Sequence, residues 1–513
     1  MGSMRGFRLL VATAVCAVAL CVAGCGGGGS SATPASSSPD TPSTATLAPA
    51  DASAWIEVDL DTSSEQWSGL QAFAGRIPGG EKFFDDILSN IGGTSSSLTF
   101  EDDVRPALGK TLVVVLPKDA TDPVLLVQPA DDAKLEKLLA SDKEPEVTGE
   151  VDDWTAVARS QQELDAFKVS LGKGTLAGTD ALAGAMRDVP NRTLVRGYVA
   201  GSALAQLGRG SSASGSSLSQ ALSAATALGQ STPLGGSGMS QSLGSLGAAD
   251  TLPVDVKDLL ESLGFAVTTT NKEIRIVGSF TTGPKTPAVP SYEPTLFAKV
   301  PGDALVALSF HGGDTVTKQL RDTLGSEAFK GLQEQLGVSV DDLAATLDGE
   351  GVVYVRAGTP LPEITVALRP SDPMKAKQTL DALVAKVRSQ LSSSSPLPGL
   401  ELTTASAGDV LLVSTATAGP SAWAGTAATL TSTQRFKDAA ASVHLGDTTS
   451  GFAYVDLRGL TPLLKTALGA LGGSTTDKES QQLFDVLGAL DSVAVNTTSD
   501  GDRMHVEAVA KAA

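Results

Sequence analysis

The chain has 513 residues, a formal net charge of −19 and 42% hydrophobic residues, a composition typical of globular proteins. This excess of acidic side chains, with no basic patch to interrupt it, argues against nucleic acid as a partner. The length predicts two domains, each with its own hydrophobic core.

The first 24 residues have the pattern of a secretory signal. Arg5 and Arg8 precede an uncharged apolar run over 9–23, and small residues then lead to Cys25. This arrangement resembles the lipobox of bacterial lipoproteins, which implies cleavage between Gly24 and Cys25 and a lipid on Cys25. We therefore expect an exported protein, anchored to the outer face of the cytoplasmic membrane or to an outer membrane if one exists. A plain signal peptide with an incidental cysteine is the alternative.

Cysteine occurs only in this N-terminal part of the chain. Cys16 and Cys21 lie in the signal, and Cys25 is the predicted lipid site, so the folded part has no cysteine. Disulfides, thiolate metal sites and cysteine nucleophiles are thereby excluded for the folded part.

The remaining sequence divides into a tether and two modules. Residues 25–50 are predicted to be a flexible tether because Gly, Ser, Thr, Ala and Pro dominate them. The modules are expected at 51–282 and 291–513, with a linker at 283–290 that holds three prolines. Within the first module, 208–249 has the composition of a low-complexity insertion. A membrane- or partner-binding lid formed by its leucines is the alternative.

Antiparallel strands with helices between them are the pattern inside each module. Ile56 and Val58 alternate with Glu57 and Asp59, which predicts a half-buried strand. A short turn between Thr111–Leu116 and the apolar run that begins at Val124 predicts a hairpin. About eight strands are expected per module.

Helix starts are also visible in the sequence. Asp372 suits an N-cap and Pro373 the first helical position. Acidic pairs at 102–103 and 341–342 precede helices in both modules. We interpret these pairs as helix-capping residues, and a symmetric acidic or calcium site is the less favoured alternative.

The two modules repeat the same order of features, which indicates an internal duplication. A Pro-Ala-Asp or Pro-Gly-Asp turn precedes the first strand of each, at 54–60 and 304–310, and Tyr198 and Tyr454 mark a later strand. A coincidence of common patterns is the alternative, because residue identity is low. The predicted fold class is α+β, with two tandem, internally duplicated modules. Each is a mostly antiparallel sheet of about eight strands with helices packed on it.

Two short segments carry a resemblance to a known family. They are Pro-Ala-Asp-x-x-Ala at 49–54 and Asp-Asp-Val-Arg-Pro-Ala-Leu-Gly at 102–109. They resemble a family of exported proteins of actinobacteria and cyanobacteria called domain of unknown function thirty-three fifty-two. The resemblance covers about residue 47 to the C-terminus and implies location and fold, with no catalytic residues. The second module departs from it at 341–348, where the proline is missing.

Histidines are too few for most catalytic schemes. None of the three has metal-ligand spacing to another. His505 alternates with apolar neighbours on the last strand and is expected to face water. His311 is expected at a turn and His444 in a loop.

No catalytic residue, metal site or cofactor is predicted, and the leading hypothesis is a protein that is not an enzyme. It would bind a partner or support assembly in the cell envelope, with the membrane and an unknown envelope protein as partners. A carrier of a hydrophobic ligand or lipid is the second hypothesis, and a carboxylate-based hydrolase is the third. For a carrier, the candidate ligand-binding residues are Trp55, Trp67, Tyr198 and Tyr454, with ordinary core packing as the alternative.

Overall fold

The computed structural model covers most of the folded part of the chain. It describes residues 28–29, 42–80, 99–120, 122–141, 146–203, 260–283, 286, 289–312, 337–358, 362–394, 402–415, 423, 428–470 and 478–513. The predicted signal peptide, the cleavage and lipidation residues Gly24 and Cys25, and the insertion at 208–249 lie outside the described residues.

One 16-stranded sheet dominates the described part, and all neighbouring strands in it are antiparallel. The strands of the first half are β1 (Ala54–Asp59), β2 (Thr111–Leu116), β3 (Val124–Val127), β4 (Val147–Val151), β5 (Trp154–Ala158), β6 (Val195–Ala200), β7 (Leu260–Thr269) and β8 (Glu273–Thr282). Those of the second half are β9 (Ala304–Gly312), β10 (Gly349–Arg356), β11 (Glu363–Pro370), β12 (Thr403–Ala407), β13 (Val410–Ser414), β14 (Gly451–Asp456), β15 (Leu490–Asp500) and β16 (Arg503–Ala512). A separate two-residue parallel pair joins Gly28–Gly29 to Val289–Pro290.

Helices connect the strands. They are α1 (Glu65–Ala74), α2 (Arg105–Leu108), α3 (Asp132–Ala140), α4 (Gln161–Leu171), α5 (Asp180–Ala185), α6 (Val340–Leu347), α7 (Pro373–Ser394), α8 (Gln434–Ser442), α9 (Leu457–Ala470) and α10 (Lys478–Ala489). Short 3-10 segments occur at Ser43–Leu47, Leu176–Gly178, Thr295–Lys299 and Leu430–Ser432, and a π-helical turn at Phe100–Val104 precedes α2. No helix among the described residues is long and apolar enough to span a bilayer.

The strand order is the same in both halves. From its outer edge inward, the first half reads β4-β5-β3-β2-β1-β6-β7-β8, and the second half reads β12-β13-β11-β10-β9-β14-β15-β16. Each strand of the second half therefore takes the place of the strand numbered eight lower. The α+β class and the eight strands per half are confirmed. The expectation of a separate sheet in each module is wrong, because β8 pairs with β16 and joins the halves into one sheet.

Apolar side chains cover both faces of this sheet. The front face, which carries Trp55, Tyr198 and Tyr454, packs against α4, α5 and α8. The back face, which carries Ile56 and Phe265, packs against α1 and α3, and its second half packs against α7. The sheet is therefore the middle of three layers, with helices on each side. Each face of the sheet contributes side chains to a hydrophobic core.

The folded part begins earlier than the sequence indicated. Ser43–Leu47 form a 3-10 segment on the front face, where Ala45 and Ala48 are completely buried. The predicted tether over 25–50 therefore ends by Pro42 rather than at Ala50. Small apolar residues in a Thr- and Pro-rich context lack periodicity, so the sequence alone did not distinguish this packed segment from a linker.

Two short loops make the same contacts in the two halves. Leu176 donates its backbone N–H to Ala48 O at 2.8 Å, and Leu430 donates to Val300 O at 2.8 Å. Three residues after each leucine, a threonine caps the next helix. Thr179 accepts from the backbone of α5, and Thr433 accepts from that of α8.

Several local predictions are confirmed. The hairpin of β2 and β3 forms as expected, and Asp372 accepts hydrogen bonds from the first backbone N–H groups of α7. Asp103 and Asp342 lie near helix starts, where each pairs with a lysine of the following helix. The lysine hydrogen bonds lower the pKa of both carboxyl groups. No group suited to holding a metal ion occurs among the described residues. The acidic pairs themselves are not the N-caps, because Thr99 and Ser339 take that position and the acids lie in the first turn. Asp103 contributes to the first cap by accepting from Thr99 N at 3.0 Å.

Gly197 of β6 offers a test of this packing. It faces Phe265 across the strand pair, and an added Cβ would lie 2.7 Å from the Phe265 ring and 2.9 Å from Trp55 O. We expect Gly197→Ala to lower the free energy of unfolding by about 1–3 kcal/mol through overpacking. The matched control is Gly178→Ala, where no atom lies within 4 Å of the new Cβ. Denaturant unfolding measures both, and equal stability of the two variants would contradict the packing described.

Candidate functional site

A polar cleft opens at one end of the first half of the sheet. It has a volume of about 360 Å³. It lies where β1 ends, where β2 begins and where the chain approaches β6. Its lining residues are Glu57, Asp59, Ser64, Glu65, Gln66, Thr111, Asn191, Arg192 and Thr193. Carboxylates, one guanidinium, amides and hydroxyls thus surround one space, which suits a small polar group.

Asp59 connects β1 to the start of α1. Its Oδ2 accepts a hydrogen bond from the Ser64 hydroxyl at 2.6 Å, and its Oδ1 accepts from Asp61 N at 2.8 Å. Ser64 is the N-cap of α1, and the Trp67 indole donates to Asp59 O at 2.9 Å. Both carboxylate oxygens of Asp59 therefore position the turn that leads into the helix.

Two aspartates near the cleft have pKa values shifted in opposite directions. Burial raises the pKa of Asp59, and the bonds from Ser64 and Asp61 N oppose that shift only in part. Asp61, whose side chain is 21% exposed, lies next to Lys110, whose ammonium is 2.8 Å from the carboxylate and lowers its pKa to about 2. Burial thus disfavours a negative charge on Asp59, whereas the lysine partner favours one on Asp61.

Glu57 forms a nearly buried ion pair on the front face. Its side chain is 17% exposed, and Arg196, which is 10% exposed, donates to Oε1 from two guanidinium nitrogens at 2.9 Å. Thr44 donates its hydroxyl to the other carboxylate oxygen. The guanidinium also lies 5.9 Å from the centre of the Trp55 ring, within the range of a cation–π contact.

The four aromatic residues considered for a hydrophobic ligand are all buried. Trp55 and Tyr198 face each other across β1 and β6 in one core, Trp67 lies in the core of the opposite face, and Tyr454 lies in a core of the second half. Three separate cores contain them, so the structure does not bring them into one site. Each occupies the position of an ordinary core side chain.

The other buried charges in the described part are also paired. Glu350 accepts hydrogen bonds from Arg369 at 3.0 Å and from the Thr295 hydroxyl at 2.7 Å. Asp456 pairs with Arg435. These carboxylates hold strands to neighbouring strands, helices or loops, and their oxygens already accept hydrogen bonds from side chains of this chain.

The expectation that His505 faces water is wrong. It lies half-buried on β16, and desolvation lowers the pKa of its imidazole. Alternation with Met504 and Val506 predicted an exposed face, but the front face is covered here as well. His444 lies in a turn after α8, as expected, and hydrogen-bonds Glu507 at 2.8 Å.

Sequence reasoning did not single out Glu57, Asp59 or Arg196 as site residues. The signal available was a charged residue inside each of two apolar strands, at Glu57 and at Arg196. Alternation assigned the charged side of β1 to solvent. The 3-10 segment at Ser43–Leu47, which the sequence assigned to the tether, covers that side instead.

Comparisons with known proteins give no relative for this arrangement: no family model matches the chain, and no curated protein or solved structure matches it significantly. The resemblance to the exported family of unknown function stays a prediction.

The Glu57–Arg196 pair predicts a strong and specific effect on stability. Arg196→Met leaves the Glu57 carboxylate buried without its cation, and we expect a loss of about 3–5 kcal/mol in the free energy of unfolding. Adding Glu57→Gln removes the stranded charge and should recover most of that loss. Denaturant unfolding of the two single variants and the double variant measures the coupling.

The control for this cycle is Lys377→Met, which breaks an exposed ion pair with Asp381 on α7. We expect it to change stability by no more than about 0.5 kcal/mol. Two results would contradict the burial of this pair. The first is an Arg196→Met variant that loses no more stability than the control, and the second is a double variant that is no more stable than Arg196→Met alone.

Proposed function

We propose that this chain is a non-catalytic binding or assembly protein of the bacterial cell envelope. A lipid on Cys25 holds it outside the cytoplasm, and the folded part is one sheet with helices on both faces. The lipobox pattern around Cys25 supports the location. The observation that supports a non-catalytic role is the pairing of the buried carboxylates with arginines.

Catalysis by carboxylates needs an acid or base whose proton can reach a substrate. Among the described residues, the buried carboxylates of Glu350, Asp456 and Glu507 are each engaged by an arginine. Asp59 has a raised pKa and lines a cleft, which is the observation that favours a hydrolase as second candidate. Both of its oxygens, however, hold the start of α1, so we assign it a positioning role.

The cleft favours a small polar group with positive charge as the bound species. Asp59 and Glu65 contribute negative charge, and Arg192 at the rim suits a carbonyl or carboxylate beside that positive centre. A basic side chain or amine of an envelope partner fits this description. A lipid chain does not, because it would have to displace water from carboxylates without replacing their hydrogen bonds.

We further infer that the two halves arose by duplication of one module. The repeated strand order, the matching 3-10 segments before β1 and β9, and the equivalent Leu176 and Leu430 contacts support this inference. Low sequence identity between halves is compatible with it, since packing constrains residue size and polarity more than identity.

The lipid anchor is tested by Cys25→Ser. We expect the variant to be missing from the membrane fraction and to lack the mass of the acyl chains, because the thiol that carries them is gone. Cys16→Ser and Cys21→Ser are matched controls within the signal and should leave anchoring intact. Fractionation and intact-mass measurement give the answer. A Cys25→Ser protein that stays in the membrane fraction would contradict the anchor.

The cleft is tested by site-specific photo-crosslinking of the anchored protein in its native membrane. A benzophenone amino acid at position 192 should give a discrete adduct, and the same probe at Met374, which is 80% exposed in the second half, should not. Glu65→Lys, which reverses a charge at the cleft, should abolish the adduct while lowering the free energy of unfolding by no more than about 1 kcal/mol, because the residue lies in the first turn of α1.

Two results would overturn the proposed function. An equal adduct from positions 192 and 374 would mean that the cleft has no selectivity. Hydrolysis of an envelope substrate by the pure protein, abolished by Asp59→Asn, would make the hydrolase the correct assignment.

A further inference from the structure

The seam between the halves carries a charged cluster at its centre. We use the term seam for the pairing of β8 with β16, which runs from Glu273 opposite Lys511 to Thr281 opposite Arg503. Glu507 lies at its middle, opposite Val277, with a side chain only 9% exposed. This cluster is independent of the cleft, which lies at the end of β1.

Partners from both halves hold the Glu507 carboxylate. Arg275 of β8 donates to Oε1 and also contacts Glu273 at 2.8 Å. His444, in the turn after α8, lies with Nδ1 2.8 Å from Oε2. The first half supplies Arg275 and the second half supplies His444, so the carboxylate couples the two halves through their side chains.

His505 lies on the same face of β16, two residues before Glu507. Uncharged Ser279 of β8 and Thr498 of β15 flank it across the strands. No hydrogen-bond partner among the described residues reaches its Nδ1, which is buried. A protonated imidazole would place an N–H donor there without an acceptor.

The charged groups around His505 lie on β16 itself and in the segments that follow α5 and α8. Burial disfavours the protonated imidazole most strongly, and His444 also disfavours it. Asp188, which follows α5, and Glu507 favour the protonated form but do not offset the burial. Arg503, on the same strand and face, lies against Gly184 of α5 and adds a positive charge. The neutral imidazole is therefore the form that the closed seam accommodates.

We propose that the seam is an acid-sensitive joint, in which protonation of His505 loosens the pairing of β8 with β16. At neutral pH the two halves form one rigid sheet. In acid they become two bodies joined by the chain between β8 and β9 and by a weakened strand pair.

Acid shifts the seam toward the state that binds a proton on His505 more tightly. Burial lowers the pKa of His505 in the closed seam, so the opened seam binds a proton at higher pH than the closed one. Acid therefore favours opening below the ordinary histidine pKa of about 6.5. The opening equilibrium constant should rise by up to about tenfold per pH unit until the closed seam is protonated as well.

Hydrogen exchange read by mass spectrometry, with the full mature protein between pH 7.5 and 5.0, tests this joint. After correction for intrinsic exchange rates, amides of β8 and β16 should lose protection in acid, whereas those of β2 and β10 should not. His505→Gln should abolish the difference. His444→Gln, a control that removes the histidine bound to Glu507, should retain the difference.

Asp188→Asn provides a second route if His505→Gln fails to fold. Removing this negative charge makes protonation of His505 harder, so the loss of protection should move to lower pH. Three results would overturn the joint: equal loss of protection in β2 and β10, an unchanged acid response in His505→Gln, and an unmoved response in Asp188→Asn.

Discussion

Coverage of both faces of the sheet is the constraint on which the polar structure depends. An antiparallel sheet with one open face can turn its charged side chains to water. Here α4, α5 and α8 cover the front face, so a charge on that face needs a partner inside the protein. Glu57 and Glu350 each find an arginine directly opposite on the neighbouring strand, at Arg196 and Arg369.

The same two glutamates also determine how the chain enters each half. Glu57 accepts from Thr44, and Glu350 accepts from Thr295 and from the backbone of Leu296. These contacts hold the 3-10 segments that precede β1 and β9 against the sheet. A buried ion pair stabilises little on balance, but breaking it is costly, so the pairs define one position for each segment.

Local signals were sufficient to predict the hairpin of β2 and β3, the Asp372 cap of α7 and the α+β class, because each depends on a few adjacent residues. The end of the tether and the burial of Glu57 and His505 depend on what covers a strand, which periodicity within the strand does not report. Nothing in β8 or β16 predicts that they pair with each other. That pairing joins residues more than two hundred positions apart, and alternation alone leaves the partner of an edge strand open.

The centre of the seam shows why two linked halves differ from two identical subunits. Val277 is the fifth residue of β8 and Glu507 the fifth of β16, and the two pair directly. In a symmetric dimer built on this strand pair, the same residue would face itself, and two glutamates there would repel each other. Because the halves are parts of one chain, only one side carries the acid, and Arg275 and His444 can both bind it. The covalent link thus permits a buried, asymmetric charge at the one place where symmetry would forbid it.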